Sequence, residues 1–483
     1  MSLLSRYLLK NLERFKNNKC INNTTYNEIY ELSKFYRHQL QSLKPQDRVC
    51  INAPKSKHWI SLMIAVWEKN GIFIPLPNLN ENYIKKCKPN FIIQSCIHKP
   101  VDISTKLIST STDIRDNQIA TFLFTSGSSG DPKGVVLSHD NIMNNIQMIN
   151  HLYGNVITSK DRSFSLLPWY HCYGLVCELL YLLGKGSQIN IPKNQEDPIK
   201  MFKEIKWNHP TILFTVPKIL ERVKKMDNKY IPNKIKKRLV WGKDLRMMSV
   251  GGSQCDKDTI QFIEDTYKIR VYQGYGMTEL SPMISLNSES HNKIGSVGKP
   301  LRNVKISIGE NNEIIVNDSP SLMIGYLSSI DEKNNTIISD PFNKQGYQTG
   351  DKGYIDDDGY LFVNGRLKHE YKLLNGKYVN PIFLEHLILS ECKQIHQIII
   401  FPSKNNDSNE CLFYLSDNKA KDNIILQIFQ ILKNKGVKQY EIPKKYYMMK
   451  EPFSLQNNLL SLKFEPRREI IIDKFYRNEL MFE

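Results

Sequence analysis

Apolar and polar residues along the chain follow two rhythms, which change over near residue 300. In the first part, short apolar runs alternate with longer stretches at helical spacing. "TTYNEIYELSKFYRHQLQSL" has helical spacing behind a threonine start. "DRVCINAP" predicts a short buried strand, and "HWISLMIAVWEKNG" predicts a helix ending at Gly71. "IFIPLP" and "FIIQSC" predict strands again, and the rhythm continues through "TILFTVP", "RMMSVGGS" and "IRVYQGYG". Strand–helix–strand alternation implies parallel sheet with helices on both faces. Glycine-rich stretches at 127–134, 251–253 and 274–276 each follow an apolar strand candidate. In such sheets, ligands sit at the carboxyl ends of the strands.

After residue 300, "VKISIGENNEIIVN" and "GYIDDDGYLFVNGR" predict hairpins, with "DDDG" as a turn. A small α/β pattern follows, with a helix over 382–391, strands in "IHQIIIF" and "CLFYLS", and a helix in "NIILQIFQILKNKG". The expected fold is α/β. A large domain, 1–365, has mostly parallel sheets wrapped by helices plus a small β-rich part at about 300–365. A small mobile C-terminal α/β domain, 366–483, completes it.

Composition adds limits. The 483 residues suit two or three domains, and 41% hydrophobic content allows a sizeable core. The formal charge of +17 could attract nucleic acid, a membrane surface or an anionic substrate. No nucleic-acid module accompanies it, and lysines beside asparagines, as in "ERFKNNKC", read as a bias of the whole chain, so no nucleic-acid partner is expected. Nine scattered cysteines without a C-x-x-C pair argue against a zinc site and a disulfide framework, and fit a reducing compartment. No apolar run is long enough to span a membrane. The amphipathic start "MSLLSRYLLKNLERFKNN" is not a signal peptide; its Leu4, Leu8 and Leu12 face is expected to pack on the domain. The expected location is cytoplasmic, with peripheral membrane contact left open through the basic surface.

Three stretches carry candidate chemistry. "TFLFTSGSSGDPKGVVLSH", 121–139, is a glycine- and serine-rich loop between two apolar runs. It is not a Walker A loop, because Lys133 follows Pro132 rather than a glycine. Its backbone N–H groups and hydroxyls suit an anion, and Lys133 adds a point charge. In "VYQGYGMTELSP", Gly274 and Gly276 would let the backbone approach a ligand, and Tyr275 offers a ring for stacking. Thr278 and Glu279 offer the hydroxyl and carboxylate that a magnesium–phosphate site needs. In "GYQTGDKGYIDDDGYLFVNGR", Asp351 follows a Thr-Gly turn, a good place to accept two ribose hydroxyls. Each stretch alone also reads as an ordinary loop or turn.

Taken together, their order, spacing and wording resemble the adenylate-forming superfamily, and within it the fatty acid–CoA ligases. "LPWYHCYG" at 167–174, "TILFTVPKILERV", "SVGGS" at 249–253 and "SVGKPL" at 296–301 carry the likeness over nearly the whole chain. The resemblance implies ATP, magnesium and coenzyme A as cofactors and co-substrates. Thr125, Ser126, Gly127, Ser128, Ser129, Gly130 and Lys133 would hold the β- and γ-phosphates. Gly251, Gly252, Ser253, Tyr275 and Gly276 would frame the adenine. Thr278 would touch the α-phosphate, and Glu279 would bind magnesium. Asp351 and Arg366 would hold the ribose. His171 would line the acyl site, Lys368 would be the hinge, and Gly376 would line the pantetheine tunnel. The implied reaction joins a carboxylic acid to the α-phosphate, releases pyrophosphate, and then lets a thiol displace AMP. A mobile 125–133 loop would close over the departing pyrophosphate.

One element departs from the pattern. The family's small domain contributes a lysine that bridges the substrate carboxylate and the α-phosphate during adenylation; "NNLLSLKFEPRR", 457–468, resembles that motif and puts Glu465 in the lysine column, with Lys463 two places earlier. Either Lys463 takes the role, or adenylation is weak, or the protein has another task. "NGKYVNP" at 375–381 resembles the wording of fatty acyl-CoA synthetases, and aryl acids stay open. The expected function is therefore a fatty acid–CoA ligase. The alternatives are an impaired relative that binds nucleotide or acyl-AMP, and a ligase that loads an acyl carrier protein.

Overall fold

The structure is a computed structural model. It describes residues 1–94, 119–126, 132–195, 198–228, 230–330, 336–339, 342, 346–392, 394–415, 421–454, 456–460 and 466–482. These residues cluster into two compact units. One comprises Met1–Ser307, Ile315–Gln348 and Ile355–Phe362; the other comprises Ile308–Ile314, Thr349–Tyr354 and Val363–Glu483.

The first unit follows the strand–helix rhythm. Helix Leu3–Arg14 buries Leu4, Leu8 and Leu12. Helix Tyr26–Gln39 starts at Thr25, whose hydroxyl accepts from the Glu28 N–H while Glu28 reaches back to the Thr25 N–H. That reciprocal cap satisfies two otherwise orphaned donors. Helix Lys57–Glu68 stops before the expected Gly71, because Asn70 already turns left-handed at φ 59°. Strands Ile72–Pro75, Arg48–Asn52 and Phe91–Gln94 form a parallel sheet with Arg48–Asn52 in the centre. A second sheet runs parallel through Ile212–Thr215, Met247–Val250 and Arg270–Gly276, then antiparallel through Met283–Leu286 and Lys299–Pro300. Leu213, Met248, Ile260, Val271 and Trp241 bury one face of it.

The stretch from 119 to 138 breaks the parallel pattern. Ile119–Ser126 and Pro132–Ser138 pair antiparallel, and Gly325–Ile330 adds to Pro132–Ser138, also antiparallel. A tight loop can only join antiparallel neighbours, since parallel strands need a long crossover.

In the second unit, Ile395–Pro402 pairs antiparallel with Asn409–Leu415, which pairs parallel with Lys445–Met448. Side chains alternate between two small cores, as strand periodicity requires. Ile398, Ile400, Cys411 and Phe413 meet helices Pro381–Glu391 and Lys421–Asn434. Ile399, Phe401 and Leu412 meet helix Arg468–Tyr476. Among the described residues, no helix is long and apolar enough to cross a membrane.

Candidate functional site

The antiparallel stem sets the first part of the site. Thr125 stands opposite Lys133 and Ser126 opposite Pro132, so Lys133 belongs to the outgoing strand rather than to the loop. Gly127, Ser128, Ser129 and Gly130 lie outside the described residues. The Lys133 ammonium sits 5.2 Å from the ring centroid of Tyr326, which comes from the neighbouring strand Gly325–Ile330. The Tyr326 hydroxyl donates to Glu279 Oε1 at 2.8 Å and lies 2.9 Å from the Tyr347 hydroxyl. Lys133 and Glu279, distant in sequence, are thus joined through one tyrosine ring. Burial and the Glu279 charge push both phenols up from their ordinary range, so they stay protonated as donors.

Glu279 is 8% exposed and sits on the short turn Thr278–Leu280. Asn145, fully buried on helix His139–Tyr153, holds that turn from below. Its amide donates to the carbonyls of Leu280 and Met283 at 3.1 and 3.0 Å. Among the described residues, no three His, Cys, Asp or Glu side chains gather around a metal position. A lone buried carboxylate suits magnesium, which takes one or two carboxylates and completes its shell with substrate phosphates and water. Glu279 would hold such an ion, and the ion would neutralise charge on the phosphates.

Gly251, Gly252 and Ser253 follow the strand Met247–Val250, and Gly274–Gly276 end the strand beside it. A methyl at Gly251 would come 3.4 Å from the Tyr173 ring and 3.7 Å from the Gly274 carbonyl. The two glycine stretches therefore meet at the carboxyl end of the sheet. Gly274 and Gly276 also meet a packing requirement. A Cβ on Gly276 would lie 2.1 Å from the Pro282 carbonyl oxygen, and one on Gly274 would lie 2.4 Å from Met283. Their missing side chains admit the returning strand Met283–Leu286. Tyr275 pairs opposite Ser285 and is buried.

His171 follows Pro168 in a turn, its N–H donating to the Pro168 carbonyl, and its ring lies tilted against Tyr170 with centroids 4.8 Å apart. Beside this turn lies a charged cluster whose members, far apart along the chain, carry no local motif. Lys55 Nζ donates to the carbonyls of Ser165 and Leu167 at 2.6 and 3.2 Å. Fully buried Glu178 accepts from the Ser165 hydroxyl at 2.6 Å and from the Trp169 indole at 3.3 Å. Burial pushes the Glu178 carboxyl up and the Lys55 ammonium down, and each charge partly restores the other. The cluster fixes residues 165–169, from which the His171 turn departs. Tyr173 adds a hydrogen bond to the Ser249 carbonyl at 2.9 Å, linking the turn to the sheet.

In the second unit, Asp351 is 4% exposed and its Oδ1 is 2.9 Å from Arg366 Nε. The two proposed ribose contacts are therefore adjacent. Lys368 is exposed on the turn Leu367–His369, and Gly376 lies in the exposed turn between Tyr371–Lys372 and Tyr378–Val379. Lys463 and Glu465 lie outside the described residues. Shortly beyond them, Arg468 makes a two-pronged ion pair with buried Glu385 at 2.7 and 2.8 Å.

This is the fold of the adenylate-forming enzymes. The chain superposes on an anthranilate CoA ligase in complex with anthranoyl-AMP with a TM-score of 0.79 at 15% identity, covering 97% of this chain and 96% of that one. Residues 10–327 match the AMP-binding enzyme family, and the chain belongs to that family. Probable 4-coumarate–CoA ligase 3 of Dictyostelium discoideum is 30% identical over 297 residues, which is 59% of this chain and 51% of that protein. Long chain acyl-CoA synthetase 7, peroxisomal, of Arabidopsis thaliana is 24% identical over 431 residues, 73% of this chain and 59% of that protein. The chain thus spans between half and two thirds of the length of these relatives.

Proposed function

We propose that the protein uses ATP to activate a carboxylic acid, preferably a fatty acid, and passes the acyl group to the thiol of coenzyme A. The observation that carries this reading is the Lys133–Tyr326–Glu279 arrangement within a family fold. A carboxylate is a poor acyl donor because its leaving group would be oxide. Attack of its oxygen on the α-phosphate breaks the bond to the β-phosphate, giving acyl-AMP and pyrophosphate. The thiolate then attacks the acyl carbon and AMP leaves. Lys133 and the 125–130 loop would hold the pyrophosphate, and Thr278 would donate to the α-phosphate. Fixed donors aimed at growing charge are the largest source of such catalysis. Asp351 and Arg366 would position the ribose. His171 would border the acyl group, with Lys55 and Glu178 holding its turn in place.

Two domains, 1–365 and 366–483, with Lys368 as hinge, would serve the two half-reactions in turn. The fatty acid preference rests on the "NGKYVNP" wording, and a relative named as a long chain acyl-CoA synthetase supports it. Carboxylate-dependent exchange of pyrophosphate into ATP, run across fatty and aromatic acids, tests the reading. Exchange with fatty acids, followed by thioester formation with free coenzyme A, is the expected result. Exchange without that thioester would favour loading of a carrier protein. Glu465 in the lysine column favours an impaired relative as the second reading, and absence of exchange with every acid would select it. Where exchange is present, Lys463→Ala should abolish it if Lys463 fills the missing role, and leave it untouched otherwise.

A further inference from the structure

Helix Asn233–Val240 packs Val240 on the core yet buries a lysine and exposes two aliphatic residues. Its buried residue is Lys236, 8% exposed, with Nζ 2.8 Å from Asp227 Oδ1. Its aliphatic residues Ile235 and Leu239 face outward, each 50% exposed. They stand four apart and share a face. Exposed Lys234 and Arg238 lie on the adjoining side of that face. The segment before it exposes Met226 by 65% and Tyr230 by 94%. The neighbouring helix Pro198–Asn208, which packs against Asn233–Val240, exposes Trp207 by 73%, whereas Trp59, Trp67, Trp169 and Trp241 are buried. Single exposed apolar residues need no explanation, but a run of large ones marks a binding surface.

The charge here is equally uneven. Residues 217–243 carry ten Lys and Arg against Glu221 and Asp227, so about half of the net +17 sits in this segment. The excess is concentrated and is not only a bias of the whole chain. Outward aliphatic side chains flanked by cations are the pattern of a helix lying in a membrane interface, where apolar groups enter the acyl boundary and cations meet anionic headgroups. Ile235, Leu239 and Met226 carry no ring to stack on a base, while Tyr230 and Trp207 are the amphipathic rings that sit at headgroup level, so the aliphatic residues favour a membrane over a nucleic-acid surface.

We propose that Met226, Tyr230, Lys234, Ile235, Arg238 and Leu239 form a docking surface for anionic lipid membranes. The proposal does not depend on the identity of the acid substrate. It is tested by sedimenting the full chain with vesicles of phosphatidylcholine, with and without phosphatidylserine. The chain should pellet with the anionic vesicles only, and less as salt rises. Ile235→Ser/Leu239→Ser and Lys234→Gln/Arg238→Gln should each weaken binding by on the order of tenfold or more. Lys85→Gln/Lys305→Gln, which removes two exposed cations elsewhere, should bind like the wild type. Unchanged thermal melting of the variants separates lost binding from lost folding. The proposal is overturned if the wild type ignores anionic vesicles, or if both patch variants bind as it does. It is also overturned if, without vesicles, the wild type self-associates with concentration and the apolar variant does not, which would assign the face to a second copy. Binding to single-stranded RNA in place of anionic vesicles would assign it to nucleic acid.

Discussion

The hydroxyl of Tyr326 donates to Glu279 Oε1 at 2.8 Å, while Lys133 lies 5.2 Å from the centre of the same ring. One side chain therefore touches both the carboxylate and the cation of the candidate site. The ring supports Lys133 through its π face, and the hydroxyl fixes one oxygen of Glu279. Tyr326→Phe keeps the first contact and deletes the second. Carboxylate-dependent exchange should fall by roughly tenfold to a hundredfold, while stability changes by only about 1 kcal/mol. Exchange assays beside a urea titration check both. Undiminished exchange would remove Tyr326 from the site.

Gly276 is a steric requirement of the sheet. A methyl there would press on the Pro282 carbonyl, a backbone atom with little room to yield. Gly276→Ala should cost on the order of 2 kcal/mol or more in a denaturation experiment. Gly359→Ala is the control for steric clash, because none of the described residues lies within 4 Å of its missing Cβ, although its φ of +81° carries a strain of its own. If the two variants lose the same stability, the clash at Pro282 is not the cause.

His139 gives the fold an acid-sensitive point. It is 2% exposed, neither ring nitrogen has a hydrogen-bond partner among the described residues, and its ring meets Trp67 edge-on at 5.5 Å. Burial, with the Met1 amino group adding repulsion, lowers its pKa from 6.5 to about 3. The unfolded chain therefore binds this proton more readily than the folded one. The contribution is complete above pH 6.5 and is lost as pH falls from 6.5 towards 3. His139→Phe should remove roughly 2 kcal/mol of the stability difference between pH 7 and pH 5. Urea midpoints at the two pH values measure it, and identical slopes for both proteins would contradict it.

Lys55 and Glu178 offer a coupling test. Removing either leaves a buried charge uncompensated, so Lys55→Met or Glu178→Leu should each cost about 3 kcal/mol or more. The double variant should lose clearly less than the summed singles, because neither charge is left behind. Strict additivity in denaturant titrations would mean that the two charges do not sense each other across Ser165 and Trp169.

The elements were legible where local chemistry decides them. Thr25, Ser56 and Ser138 each cap a helix through a hydroxyl close in sequence, and the strands between are unbroken apolar runs. The antiparallel stem around 127–131 was not read from that alternation, since apolar runs give no direction of pairing. Individual roles were harder. Lys133, Glu279 and Asp351 stand in recognisable wording, whereas Tyr326, Asn145, Lys55 and Glu178 act across long sequence separations and carry no local signal. Gly276 has a packing requirement that its wording does not reveal, because the strand it admits lies at Met283–Leu286.

The proposed reaction has Lys133 and Glu279 serve one magnesium nucleotide. It is tested most directly by following carboxylate-dependent pyrophosphate exchange into ATP as magnesium is varied, in the wild type and in Glu279→Gln. Exchange in the wild type, with a loss of about tenfold or more and a raised magnesium requirement in Glu279→Gln, is predicted. Exchange in the variant with unchanged rate and unchanged magnesium dependence would contradict it.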